Sequence, residues 1–139
     1  MTTSEITKIE FESVATEPDD APHNHSWSLS SGGDFYYRKN ARDAFRGSEM
    51  EIYWFDSDYP AVPTSVVPST RMAEISLKIE SLLKNGDTTL PDDGGTEHGG
   101  WDRLTITTKS RVVVVEAHSS HGEYMSDLVN PILSLIYGN

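Results

Sequence analysis

The chain has 139 residues, 36% of them apolar, with 22 acidic against 11 basic side chains, a formal net charge of -11 and no cysteine. That length supports a single domain over residues 1–139 with one core, and the 3 Trp, 6 Tyr and 4 Phe supply aromatic mass that disordered chains lack. Absent cysteine excludes disulfides, thiol chemistry and a Cys-ligated zinc site, and the negative mean field disfavours a protein whose work is neutralising nucleic-acid phosphates.

In chain order, Met1 to Thr7 offers acids and hydroxyls where a secretory signal would carry a basic patch and an apolar run, so a cytoplasmic address is expected. Ile9 and Phe11 alternate with Glu10 and Glu12, which predicts a half-buried strand over Ile6 to Val14 with an acidic outer face. Glu17 to Asn24, with Pro18, Asp19, Asp20 and Pro22, reads as a loop. Trp27 and Leu29 resume the alternation, and Gly32-Gly33 suggests a hairpin into Phe35 to Arg38. The run Ile52, Tyr53, Trp54 and Phe55 predicts an aromatic strand over Met50 to Asp56. Pro60, Pro63 and Pro68 then make Ser57 to Ser69 an extended connection, because proline has no amide to pair in a ladder.

Met72, Ile75, Ile79, Leu82 and Leu83 follow helical spacing, with Ser69 or Thr70 able to cap the start and Asn85-Gly86 to stop the end. Asp87 to Gly100, rich in glycine and acids, reads as a mobile loop. Leu104 and Ile106 alternate with threonines, Lys109-Ser110 marks a turn, and the flat run Val112 to Val115 predicts a central strand buried on both faces. Met125, Leu128, Val129, Ile132, Leu133, Leu135 and Ile136 predict a closing helix in which Pro131 either kinks the axis or opens a fresh first turn capped by Asn130. The expected architecture is α+β: a mostly antiparallel sheet of five or six strands carrying two helices, with residues 30–48 the least determined stretch.

Charge is uneven along the chain. Residues 1–20 carry six acids and one base, 21–86 eight and seven, and 87–139 eight and three, so the acidity lies at the two ends. The basic group Arg38, Lys39, Arg42 and Arg46 follows the aromatics Phe35, Tyr36 and Tyr37, a pairing able to hold an anionic ligand. Asp34, Asp43 and Glu49 favour instead a self-neutralised surface.

Motifs for chemistry are sparse. His23-Asn24-His25 and Gly32-Gly33-Asp34-Phe35 each lack the surroundings that would make them nuclease or nucleotide-cyclising signatures, and the glycine pairs lack a phosphate-cradling Lys-Ser or Lys-Thr. His23, His25, His98, His118 and His121, with Glu97, Glu116 or Glu123, have the donor types for a metal site, but no helical HExxH spacing orders them, so no metal or other cofactor is expected. Asp19-Asp20, Asp56 with Asp58, and Asp92-Asp93 sit beside Pro or Gly, as solvated turn residues do.

The segment Gly99-Gly100-Trp101-Asp102-Arg103-Leu104, continuing through Val112 to Val115 and on to Leu128 to Ile136, resembles the layout of small bacterial immunity proteins of polymorphic or contact-dependent toxin systems. The resemblance covers about 40 residues and concerns arrangement, an acidic Gly-rich loop and an aromatic leading into a hairpin and an apolar helix. It implies a non-enzymatic inhibitor of a basic toxin such as a nuclease. Acidic surfaces speed such encounters and buried aromatics anchor them. The expected partner-binding residues are Asp56, Asp58, Tyr59, Asp92, Asp93, Glu97 and Trp101, with a protein partner and no nucleic acid or membrane. One rival reading is a small ligand-binding domain or a metal-dependent enzyme with a His/carboxylate cluster, its pocket lined by Trp27, Tyr36, Tyr53 and Trp54. A second is a subunit or adaptor that exposes Val112 to Val115 or the final helix.

Overall fold

The computed structural model of the protein describes residues 6–15, 24–39, 58–90, 100–118 and 123–138. Alternation in the sequence becomes alternation across a sheet. The strands are β1 (Ile6–Ala15), β2 (His25–Ser30), β3 (Asp34–Lys39), β4 (Ser65–Val66), β5 (Thr88–Thr89), β6 (Gly100–Thr108) and β7 (Val112–Ala117), and the helices are α1 (Ser69–Asn85) and α2 (Glu123–Tyr137). Among the described residues seven strands lie in the order β4-β3-β2-β1-β6-β7-β5, antiparallel except for the pairing of β5 with β7. This is the α+β class that the patterning predicts. The count exceeds six because β4 and β5 are two-residue strands with no periodicity to read.

β1 is the middle strand, pairing with β2 on one side and β6 on the other. Its apolar parity, Ile9 and Phe11, lines up with Leu29 and Trp27 on β2 and with Ile106 and Leu104 on β6. These residues form one core with Phe35, Val113 and Val115 beneath Ile75, Ile79 and Leu83 of α1 and Met125, Val129, Ile132 and Ile136 of α2. Both helices therefore cover the same face, in two layers. Each such side chain contributes about 1.5–3 kcal/mol by leaving water.

Several expectations need correction. Val112 to Val115 is neither central nor buried twice: β7 lies next to the two-residue edge strand β5, and its valines alternate, with Val113 and Val115 in the core and Val112 54% exposed. Valine suits either face of a pleat, so four in a row do not reveal double burial. Neither Ser69 nor Thr70 caps α1; the cap position is Pro68, which makes no side-chain hydrogen bond, and both hydroxyl residues lie inside the helix. At the other end Gly86 stops the helix as expected, with φ 75 and its N–H bonded to the Leu82 carbonyl, while the Arg111 guanidinium donates to the Leu83 carbonyl. α2 opens no fresh turn at Pro131 but runs through it. The proline leaves the Asp127 carbonyl without its usual amide donor, and both residues are exposed, so water can replace it.

The expected loop from Asp87 begins with structure: Thr88 and Thr89 pair with Val115 and Glu116, and the Asp87 carboxylate accepts from the Val114 amide at 2.9 Å. A carboxylate thus occupies the place of a ladder partner on the edge of β7. The Lys109-Ser110 turn is closed by Thr108, whose amide donates to the Arg111 carbonyl at 2.8 Å and whose hydroxyl accepts from the Arg111 amide. In the proline-rich connection, Ser65 and Val66 pair with Phe35 and Asp34. The expected strand at Met50 to Asp56 lies outside the described residues, as do 16–23 of the expected loop before β2. Among the described residues no helix is long and apolar enough to cross a membrane.

Candidate functional site

The parity that does not face the helices forms the outer face of the sheet. It carries Glu10 and Glu12 on β1, Ser26 and Ser28 on β2, Tyr36 and Arg38 on β3, Trp101 and Arg103 on β6, and Glu116 on β7. Glu12 pairs across to Ser26 on one side and to Arg103 on the other, and so marks the middle of this surface. The face is built mainly of serines, charges and aromatics; its aliphatic members include Val14, fully buried beside Trp101, and Val112 and Val114 on β7.

Tyr59, from the connection after residue 57, is laid over this face. Its phenol shares a 2.8 Å hydrogen bond with the Ser26 hydroxyl, which also accepts from Arg38 Nε at 2.8 Å. The Arg38 guanidinium sits 4.5 Å from the centre of the Tyr59 ring, and Tyr36 meets that ring edge-on at 6.4 Å. Ser26 is wholly buried, so its two partners satisfy a hydroxyl that would otherwise be costly. Burial raises the Tyr59 pKa above its ordinary 10.0; the Ser26 bond and Arg38 oppose that rise, and the Glu10 and Glu12 carboxylates add to it.

Across Glu12, the Arg103 guanidinium stacks 4.3 Å from the centre of the Trp101 ring and donates to Glu116 at 3.2 Å. Stacking and ion pairing hold both side chains over the strand while leaving them partly exposed. Of the residues expected to bind a partner, Tyr59 and Trp101 thus share one face, with Glu10 and Glu12 between them, and Asp58 is exposed next to Tyr59. Asp56, Asp92, Asp93 and Glu97 lie outside the described residues. Sequence reasoning missed Ser26, and it read Glu10 and Glu12 only as the acidic outer face of a strand and Arg38 only as part of the basic group, without joining them to Tyr59 and Trp101.

The expected ligand pocket does not form from its named residues. Trp27 pairs with Tyr37 and is buried against the helices, whereas Tyr36 pairs with Ser28 on the outer face, so the two point to opposite sides. Tyr53 and Trp54 are outside the described residues. The basic group is likewise divided: Arg38 joins Tyr59, Lys39 is exposed, and Arg42 and Arg46 lie outside the described residues. Of the histidines, His25 is half-buried on β2, His118 is exposed beyond β7, and His23, His98 and His121 lie outside the described residues. Among the described residues no three His, Asp or Glu side chains gather so as to hold a metal ion.

On the helix-covered face the apolar parity is broken at Thr108 near the end of β6 and in a row running across four strands: Asp102 on β6 pairs with Ser13 on β1, Ser13 with His25 on β2, and His25 with the exposed Lys39 on β3. Asp102, Ser13 and His25 line a pocket of about 110 Å³ beneath α2, closed by Ser126, Val129, Asn130 and Leu133. Ser13 occupies the middle and its hydroxyl has no hydrogen-bond partner among the described residues, so the hydroxyl–imidazole–carboxylate relay of a serine nucleophile is not assembled.

No protein-family model matches the chain, and no curated protein matches it.

Proposed function

We propose that the chain is a non-enzymatic binding protein, an immunity-type inhibitor acting in the bacterial cytoplasm, which covers the active site of a basic, nuclease-type toxin with the outer face of its sheet. The observation that carries this reading is the placement of Tyr59 and Trp101, two partly exposed aromatics held by stacked arginines, on one face around Glu10 and Glu12. Rigid aromatics flanked by charge are the composition of interface anchors, and they lose little rotamer freedom on binding. The described part of the face is close to electrically balanced, so rapid encounter with a basic partner is left to the -11 charge of the whole chain.

The test is co-expression with the product of the adjacent open reading frame. If that product is toxic alone, this chain is expected to relieve the toxicity and to bind it with an association rate that falls as salt rises. Trp101→Ala is expected to weaken binding by about 2 kcal/mol, the range of an anchoring aromatic. Lack of protection by the wild-type chain, or full affinity in a folded Trp101→Ala, defeats the reading.

A further inference from the structure

The pocket beneath α2 lies on the opposite side of the sheet from Tyr59 and Trp101, so a ligand held there is independent of the inhibitor surface. Its lining divides into two chemistries. Ser13, Asp102, Ser126 and Asn130 present hydroxyl, carboxylate and amide groups, while Phe11, Val129 and Leu133 present carbon. Two of the polar groups are deep: Ser13 is 1% exposed and Asp102 2%. The Ser13 hydroxyl is left with no protein partner among the described residues, a condition that costs about 1–3 kcal/mol when nothing fills it. Asp102 and His25 each keep an interaction of their own. A carboxylate has about four lone-pair sites, so Asp102 retains capacity for a further donor.

The opposite wall comes from one helix face. Ser126, Val129, Asn130 and Leu133 are spaced three and four apart and project together over the row of strand residues. His25 packs against Phe11 at 5.9 Å, so the pocket also has an aromatic side wall. A buried carboxylate favours a cation, the hydroxyls and the Asn130 carbonyl are acceptors, and the apolar wall suits a short methylene stem. The volume of about 110 Å³ is that of three to four water molecules, enough for a compact head but not for an extended ligand.

We infer that this pocket is a binding site for a primary alkylammonium group, supplied by a small free amine or by a lysine side chain of another protein. The ammonium sits between Asp102, Ser13, Ser126 and Asn130, and its stem lies along Phe11, Val129 and Leu133. Three donors on a compact tetrahedral cation match acceptors placed on two sides of the pocket.

The experiment is titration of the full chain with propylammonium chloride at constant ionic strength, read by amide NMR shifts. 1-Propanol serves as the uncharged control with the same stem. Saturable shifts at Ser13, His25, Asp102 and Ser126 are expected with propylammonium and not with propanol. Ser13→Ala is expected to weaken binding about tenfold, the loss of one hydrogen bond to a charged group. Ser126→Leu, at a half-exposed rim position where folding is not at stake, is expected to abolish it. A peptide-like lysine, blocked by acetyl at its α-amine and by methylamide at its carboxyl, separates the sources: equal or tighter binding assigns the site to a lysine side chain, weaker binding to a free amine. The inference is overturned if propanol matches propylammonium, if shifts fail to saturate by about 100 mM, where affinity would be below any specific site, or if Ser126→Leu binds as the wild type does.

Discussion

Gly32 and Gly33 are indistinguishable as residues, yet the structure predicts opposite outcomes when each becomes alanine. Gly33 has φ 94, donates to the Ser30 carbonyl at 2.9 Å and accepts from the Val67 amide at 2.8 Å. A methyl group there would collide with the Val67 carbonyl oxygen and lie 3.3 Å from its carbonyl carbon and 3.4 Å from its nitrogen, all backbone atoms that cannot swing aside. Holding alanine at positive φ costs about 1–2 kcal/mol. Moving Val67, which is 2% exposed and leads directly into α1, adds about 1–3 kcal/mol for disturbed packing and a weakened hydrogen bond. Gly33→Ala is therefore expected to lose about 2–5 kcal/mol, a large part of the roughly 5–15 kcal/mol that holds a domain together. Gly86, at φ 75 with open space around its Cβ position, isolates the conformational term, so Gly86→Ala is expected to cost about 1–2 kcal/mol. Gly32, with open space and no positive φ, should gain about 0.4–1 kcal/mol through the unfolded chain. Urea unfolding of the three variants measures all of this, and a Gly33→Ala loss no greater than that of Gly86→Ala would refute the contact argument.

Three further outcomes are expected. Burial raises the pKa of Tyr37 and Tyr59 above the unfolded value of 10.0, so the stability they contribute is complete below that pH and is lost as pH rises through their folded values; alkaline unfolding followed with tyrosinate absorbance should show this, and Tyr59→Phe should remove part of the slope. If the Tyr59→Phe curve superimposes on the wild type, the phenol is not held as described. Pro131→Ala restores an amide to the Asp127 carbonyl at an exposed site and should stabilise the protein by about 1–3 kcal/mol in thermal unfolding; a loss of stability would mean the ring is needed. Trp101→Ala, which removes one partly exposed cation–π pair, should cost less than about 1 kcal/mol of stability, so a collapse of the fold would shift Trp101 from recognition to structure.

The longer elements were legible because their periods are clean. Ile9 and Phe11 against Glu10 and Glu12 announced β1, and Ile75, Ile79 and Leu83 announced α1. β4 and β5 were not legible, since two residues cannot show a period and both exist only by pairing with neighbours already in place. Val112 to Val115 misled because composition says what a strand tolerates and not how many faces are covered. For the candidate surface, Tyr59 and Trp101 were visible as aromatics beside acids, but their common face depends on register, which joins Ser26 to Glu12 and Glu12 to Arg103. The polar row does have a signal in the sequence: Ser13 continues the parity of Ile9 and Phe11, His25 that of Trp27 and Leu29, and Asp102 that of Leu104 and Ile106. Extending each alternation by one step puts all three on the buried side.

β1 is translated before any other described strand, yet it lies at the centre of the sheet, with Ala15 paired to Gly100 and Ile6 to Thr108. Its pairing with β2 is local and can form early, whereas its other edge must wait until the chain as far as Thr108 has emerged from the ribosome. During that interval the nascent hairpin presents an open edge and the apolar side chains of Ile9, Phe11, Trp27 and Leu29, the kind of surface that chaperones recognise. The arrival of β6 is therefore the event that joins the two halves of the molecule.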